Sequence, residues 1–253
     1  MKQWIVLLLI ISILLIFTFI VLYISNNSIY PDTPSNINVL DITNAVEFAK
    51  KNPYVPFIVK FNCPVYKSVS EIHKKLKWDH TSFKEHGKNI EIVEKMSIKE
   101  RISKQEEAIR VYDENVDMST VLLHVDDQNM RDVLGDDFFD KLGDFKSFFG
   151  FTIWCNTKDF TTPIHTDTPN NMTVQLLGKK RWILASPRYT KQLHPTVKGR
   201  ASQFYNEKEY DDIKNNVKTL IVDMEPGDIL YIPKGYIHFV YTLSTSAMVS
   251  CVF

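Results

Sequence analysis

The stretch Thr162-Pro163-Ile164-His165-Thr166-Asp167, answered far downstream by Pro226-Gly227-Asp228-Ile229-Leu230-Tyr231-Ile232-Pro233-Lys234-Gly235-Tyr236-Ile237-His238, decides how this chain folds. On a β-strand successive side chains alternate faces, so His165 and Asp167 point the same way while Thr166 faces elsewhere. His238 comes 73 residues after His165. It lies just past the β-rich run from Asp228 to Ile232, which a Pro226-Gly227 turn launches and Pro233-Lys234-Gly235 closes. Two strands distant in sequence and adjacent in space then bring two imidazoles and one carboxylate to a common point.

That ligand set holds non-haem Fe(II) on one face of an octahedron and leaves the remaining positions open for oxygen chemistry. A His-x-Asp alone is weak evidence, and the chain contains a second one, His124-Val125-Asp126, after the apolar run Val121-Leu122-Leu123. The acidic, polar residues from Asp127 to Asp132 follow it and read as a solvated loop or helix start, so there the pair is a strand end meeting water. The pair at 165 has strand-like neighbours on both sides. Phe148 to Cys155 precede it; Met172 to Leu177 and Lys180 to Ala185 follow, two strands joined by a tight turn at Gly178-Lys179. If Lys180 faces the interior, alternation sets Trp182 and Leu184 beside it and sends Lys179 and Arg181 outward. A single ammonium among apolar side chains needs an anion.

The string from Thr162 to Asn171, then Gly178-Lys179-Lys180-Arg181-Trp182, then Pro226 to His238, resembles the Jumonji C or cupin-like branch of the Fe(II)/2-oxoglutarate-dependent dioxygenases, which includes asparaginyl hydroxylases. The resemblance extends loosely over residues 40 to 253. It implies a mainly β fold with flanking helices, the double-stranded β-helix or cupin jelly roll. It also implies that His165, Asp167 and His238 bind Fe(II), and that Lys180 pairs with the distal carboxylate of 2-oxoglutarate. Thr162 and Asn171 contact the same cosubstrate in relatives; read as residues alone, they are equally turn positions beside Pro163 and Pro169. A polar residue that some relatives place against the cosubstrate on the last strand has no clear counterpart among Ser250, Cys251 and Val252. The implied reaction uses O2 to hydroxylate a protein or peptide side chain, with N-methyl-lysine demethylation as a variant. A non-catalytic cupin-like binding module and a small-molecule metal cupin that ignores 2-oxoglutarate remain as alternatives.

Composition sets the frame. The chain has 253 residues with 30 basic and 30 acidic side chains, so it presents no bulk electrostatic case for nucleic acid. From Trp4 to Ile24 no residue is charged, and these 21 residues are long enough to cross a bilayer core. The expected organisation is a transmembrane anchor over residues 1–25, a polar linker over 26–38 and one cupin-like domain over 39–253. Lys2 mildly favours a cytoplasmic N-terminus and an external or lumenal domain, leaving the side of the membrane open, as is the oligomeric state. Cys63, Cys155 and Cys251 permit at most one internal disulfide. Capping patterns at Asn44-Ala45-Val46-Glu47, Ser68-Val69-Ser70-Glu71 and Ser97-Ile98-Lys99-Glu100 mark helix starts. Phe138, Phe139, Phe145, Phe148 and Phe149 read as core or lid.

Overall fold

A computed structural model describes residues 11–20, 30–75, 82–86, 90–91, 120–125, 127–142, 151–190, 193, 197–198, 202–204 and 217–253. The strands, in chain order, are β1 (Asn38–Leu40), β2 (Phe57–Lys60), β3 (Ser82–His86), β4 (Ile90–Glu91), β5 (Thr120–Val125), β6 (Phe151–Asn156), β7 (Thr161–Asp167) and β8 (Asn171–Leu177). They continue with β9 (Lys180–Ala185), β10 (Val197–Lys198), β11 (Ser202–Phe204), β12 (Thr219–Met224), β13 (Asp228–Ile232), β14 (Ile237–Thr242) and β15 (Ser246–Val252). They form a nine-stranded sheet, β1-β2-β13-β8-β15-β6-β5-β3-β4, and a six-stranded sheet, β10-β11-β7-β14-β9-β12. Successive strands from β6 to β9 and from β12 to β15 alternate between the sheets, the winding of a jelly roll.

Two apolar layers explain why these residues form strands. Between the sheets lie Ile58, Leu230 and Ile232 from one side and Trp182, Leu184, Leu220, Val222 and Met224 from the other. Helices Ile42–Lys51, Asp127–Leu134 and Asp136–Leu142 cover the outer face of the larger sheet, packing Ala45, Met130 and Phe138 on Val174, Val249 and Cys155. Its central strands are therefore buried on both faces, and β13 reads as five buried residues in a row. The edge strand β12 instead alternates, with Leu220, Val222 and Met224 inside and Ile221 and Asp223 in water.

Several expectations meet corrections. The turn at Gly178-Lys179 joins the two expected strands, and it carries the chain from β8 in one sheet to β9 in the other. Gly178 is required there, since its φ is +67° and an added Cβ would stand 2.0 Å from the Thr245 carbonyl oxygen. The first helix begins at Ile42 and is capped by Asp41, whose carboxylate accepts from Thr43 N at 2.9 Å, so Asn44 lies inside it. Ser68 does cap its helix, accepting from Glu71 N at 3.2 Å, while Glu71 reaches back to Lys67 N at 2.8 Å. The Ser97 start lies outside the described residues, as do Phe145, Phe148 and Phe149. Phe138 is buried in the core, and all three cysteines are buried free thiols.

The N-terminal expectations fall partly outside the described residues. Residues 11–20 are helical and exposed throughout, and among the described residues no helix is long and apolar enough to cross a membrane. The stretch expected as a polar linker is docked from Tyr30 onward. Ser186 Oγ donates to the Pro31 carbonyl at 2.6 Å, Ser186 N donates to Thr33 Oγ1 at 2.9 Å, and the Tyr189 hydroxyl donates to Asp32 at 2.5 Å. Thr33 is fully buried by these contacts.

Candidate metal centre

β7 and β14 run antiparallel with His165 directly opposite His238. Their rings stand 4.2 Å apart, centre to centre, at 56°. Asp167 sits two residues along the same face, with Oδ2 3.8 Å from His238 Nε2. One ligand atom from each of the three residues lies within 4.8 Å of the other two. Donors on one face of an octahedron stand roughly 3 Å apart at bonds of about 2.1 Å. The difference is within the reach of side-chain torsions, so the set fits a divalent metal bound through two nitrogens and one oxygen.

The local sequence holds these donors in place. Gly235 N donates to the Asp167 carbonyl at 2.7 Å, tying the loop before His238 to the end of β7. His238 Nδ1 lies 2.9 Å from the Tyr236 carbonyl, an acceptor only, so Nδ1 carries the proton and Nε2 presents its lone pair toward Asp167. Burial, then the neighbouring His165, push the His238 pKa down to about 4. A neutral ring leaves Nε2 able to coordinate a metal.

Thr162 reaches the interior by an irregularity that no alternation rule anticipates. Three residues of β7, from His165 to Thr162, span the two of β14 from His238 to Val240. The extra residue is a bulge at Pro163-Ile164, where proline is tolerated within a strand. It turns Thr162 onto the His165 face, opposite Val240, while Ile164 packs outside with Ile237 and Phe239.

Lys180, Trp182 and Leu184 form one buried inward row of β9, as alternation predicts. Arg181 and Lys179 face out and pair with Asp223 and Glu225 at 2.6 and 2.5 Å. The Lys180 ammonium donates to Asn156 Oδ1, and among the described residues no carboxylate pairs with it. Burial alone pulls its pKa down to about 7. Asn171 opens β8, and its Oδ1 accepts from Ser250 Oγ at 2.9 Å. Ser250 is therefore the inward polar residue of the last strand that the sequence did not single out. Ala247, Val249 and Cys251 pack in the outer layer, and this parity is the signal that assigns Ser250 inward. Asn156 was also missed, although the same alternation places it opposite in parity to the outer-layer residues Ile153 and Cys155. In the competing pair His124 lies on β5 and Asp126 falls outside the described residues.

A jelly roll on which two imidazoles and a carboxylate converge, with a buried ammonium farther along the interior, defines a cupin-like domain with a candidate metal site. The cupin-like domain family matches residues 35–253, and the chain belongs to that family. It is 31% identical over 102 residues to JmjC domain-containing protein D of Dictyostelium discoideum, covering 37% of this chain and 22% of that protein. Over 105 residues it is 31% identical to Jumonji C domain-containing protein 5 of Drosophila melanogaster, covering 38% and 26%. It is likewise similar to the HSPB1-associated protein 1 homolog of Danio rerio, 31% identical over 98 residues, covering 35% and 22%. The matches span about a quarter of the length of these relatives.

Proposed function

We propose that this protein is an Fe(II)/2-oxoglutarate-dependent dioxygenase that hydroxylates a protein side chain, with demethylation of N-methyl-lysine as a variant of the same chemistry. The observation that carries the reading is the convergence of His165, Asp167 and His238 within 4.8 Å, on the same interior that buries Lys180 without a carboxylate partner. Membership of the cupin-like family and similarity to JmjC-domain proteins support it. In this reading His165 Nε2 or Nδ1, His238 Nε2 and an Asp167 oxygen hold the iron. Lys180 supplies the fixed positive charge for the distal carboxylate of 2-oxoglutarate, with Thr162, Asn171 and Ser250 as polar neighbours of the cosubstrate. When bound, iron and 2-oxoglutarate activate O2 for oxygen insertion into a substrate C–H bond, coupled to conversion of the cosubstrate to succinate and CO2. The surrounding chain contributes position and exclusion of water: Trp182, Leu184 and Val240 wall the interior beside His238. Lys180 acts as a charge clamp, not as a general base.

Succinate release from 2-oxoglutarate by the full chain with Fe(II) in air tests the reading. Wild type releases succinate, Asp167→Ala does not, and Lys180→Ala does so weakly, with partial recovery at high 2-oxoglutarate. A wild type that neither turns over 2-oxoglutarate nor takes up iron identifies a binding module. Succinate release untouched by Lys180→Ala overturns the clamp role of Lys180, and iron uptake with no succinate release identifies a metal cupin with another substrate.

We further propose that the apolar segment from Trp4 to Ile24 anchors the protein in a membrane. The support is its uncharged sequence and the exposure of Leu15, Phe17 and Phe19 at 66%, 64% and 70%. Retention of the full chain in alkali-washed membranes, and release on deletion of residues 1–25, checks it; a full chain washed off by alkali contradicts it.

A further inference from the structure

Trp182 is 2% exposed, and its indole N–H has no hydrogen-bond partner among the described residues. A buried donor without an acceptor is rare in native proteins, and it costs stability unless something else satisfies it. Its place is informative. On the inward row of β9 it lies between Lys180 and Leu184, and Leu184 stands opposite His238 in the ladder. Its ring leans on His238, 5.6 Å centre to centre at 35°. The strand partners opposite it, Val240 and Val222, offer no side-chain acceptor.

Neighbouring polar groups are under-satisfied in the same sense. Lys180 makes its hydrogen bond to a neutral amide, and the buried Thr173 hydroxyl finds only the Met224 sulfur at 3.8 Å. An ammonium, an indole N–H and a hydroxyl on one interior want an acceptor-rich anion. Resting on the cosubstrate reading above, we infer that the Trp182 indole N–H donates to a carboxylate oxygen of the bound 2-oxo acid, a second donor beside Lys180.

Trp182→Phe keeps an aromatic ring against His238 and removes the donor together with part of the buried indole's volume. Zn(II), which is diamagnetic and redox-inert, serves as the metal for the full chain, and calorimetry measures Zn(II) and 2-oxoglutarate binding separately. The variant is expected to bind Zn(II) as wild type does and to bind 2-oxoglutarate roughly ten- to a hundredfold more weakly. A purely structural tryptophan would instead weaken both ligands together, which overturns the inference. Unchanged 2-oxoglutarate affinity in the variant also overturns it and leaves the cosubstrate reading standing. Failure of wild type to bind 2-oxoglutarate at all overturns both. Independently of the variant's folding, the 15N-labelled wild type, with 4 tryptophans, should show the Trp182 indole proton moving downfield on addition of 2-oxoglutarate. An unmoved resonance in the ligand-saturated protein overturns the donor role.

Discussion

Lys180 carries a charge that the protein alone does not compensate. Its partner is the Asn156 amide, and burial brings its pKa from 10.5 to about 7. Between those two values the unfolded chain holds a proton that the folded chain lacks, so this residue makes stability rise with pH from about 7 toward 10.5. Lys180→Met should therefore raise the melting temperature of the ligand-free protein at neutral pH by roughly 2–4 °C per kcal/mol recovered, and flatten that part of the stability profile. The same replacement should weaken 2-oxoglutarate binding by roughly a hundredfold or more, the scale of a broken buried ion pair, while leaving metal binding intact. An anion that restores the ammonium also restores its proton. At pH 8 calorimetry in buffers of different ionisation enthalpy should show proton uptake with 2-oxoglutarate, absent in Lys180→Met; binding with no uptake by the wild type contradicts the buried-amine account.

At the scale of elements, the turns between strands decide where these side chains point. Gly178 moves the chain between sheets with φ +67° and no room for a Cβ beside Thr245. Gly178→Ala should cost about 3 kcal/mol, or on the order of 10 °C in melting temperature; an unchanged melt would show that this crossing relaxes freely. The strand-period alternation that placed His165 with Asp167 and Lys180 with Trp182 is a local property, and it was legible from residue order alone. The jump from β8 to β9 across sheets was not, because a tight glycine turn looks the same whether the strands pair or part. The bulge at Pro163-Ile164 was equally hidden: Thr162 entered by resemblance, and only the ladder between β7 and β14 shows that an extra residue turns it inward. Asp41 outcompetes Asn44 as the helix cap because the first buried helical residue is Ile42, which fixes the start upstream. Ser250 follows from the parity of its strand once Val249 and Cys251 are known to lie in the outer layer.

The molecule as a whole joins an exposed apolar helix to a jelly roll through a docked strap. Pro31, Asp32 and Thr33 meet Ser186 and Tyr189, and Ser186 is fully buried. A chain beginning at residue 30 should consequently be more stable than one beginning at 35 by about 1–3 kcal/mol, the cost of leaving the buried Ser186 groups unmatched. Equal melting temperatures would make the strap an incidental contact. The interior metal centre is the claim on which the functional account turns, and diffraction from crystals grown anaerobically with Mn(II) and 2-oxoglutarate tests it most directly. The account predicts one anomalous peak bonded to His165, Asp167 and His238, chelated by the 2-oxo acid, with the far carboxylate on Lys180. A peak elsewhere, or a dicarboxylate bound away from Lys180, would contradict it.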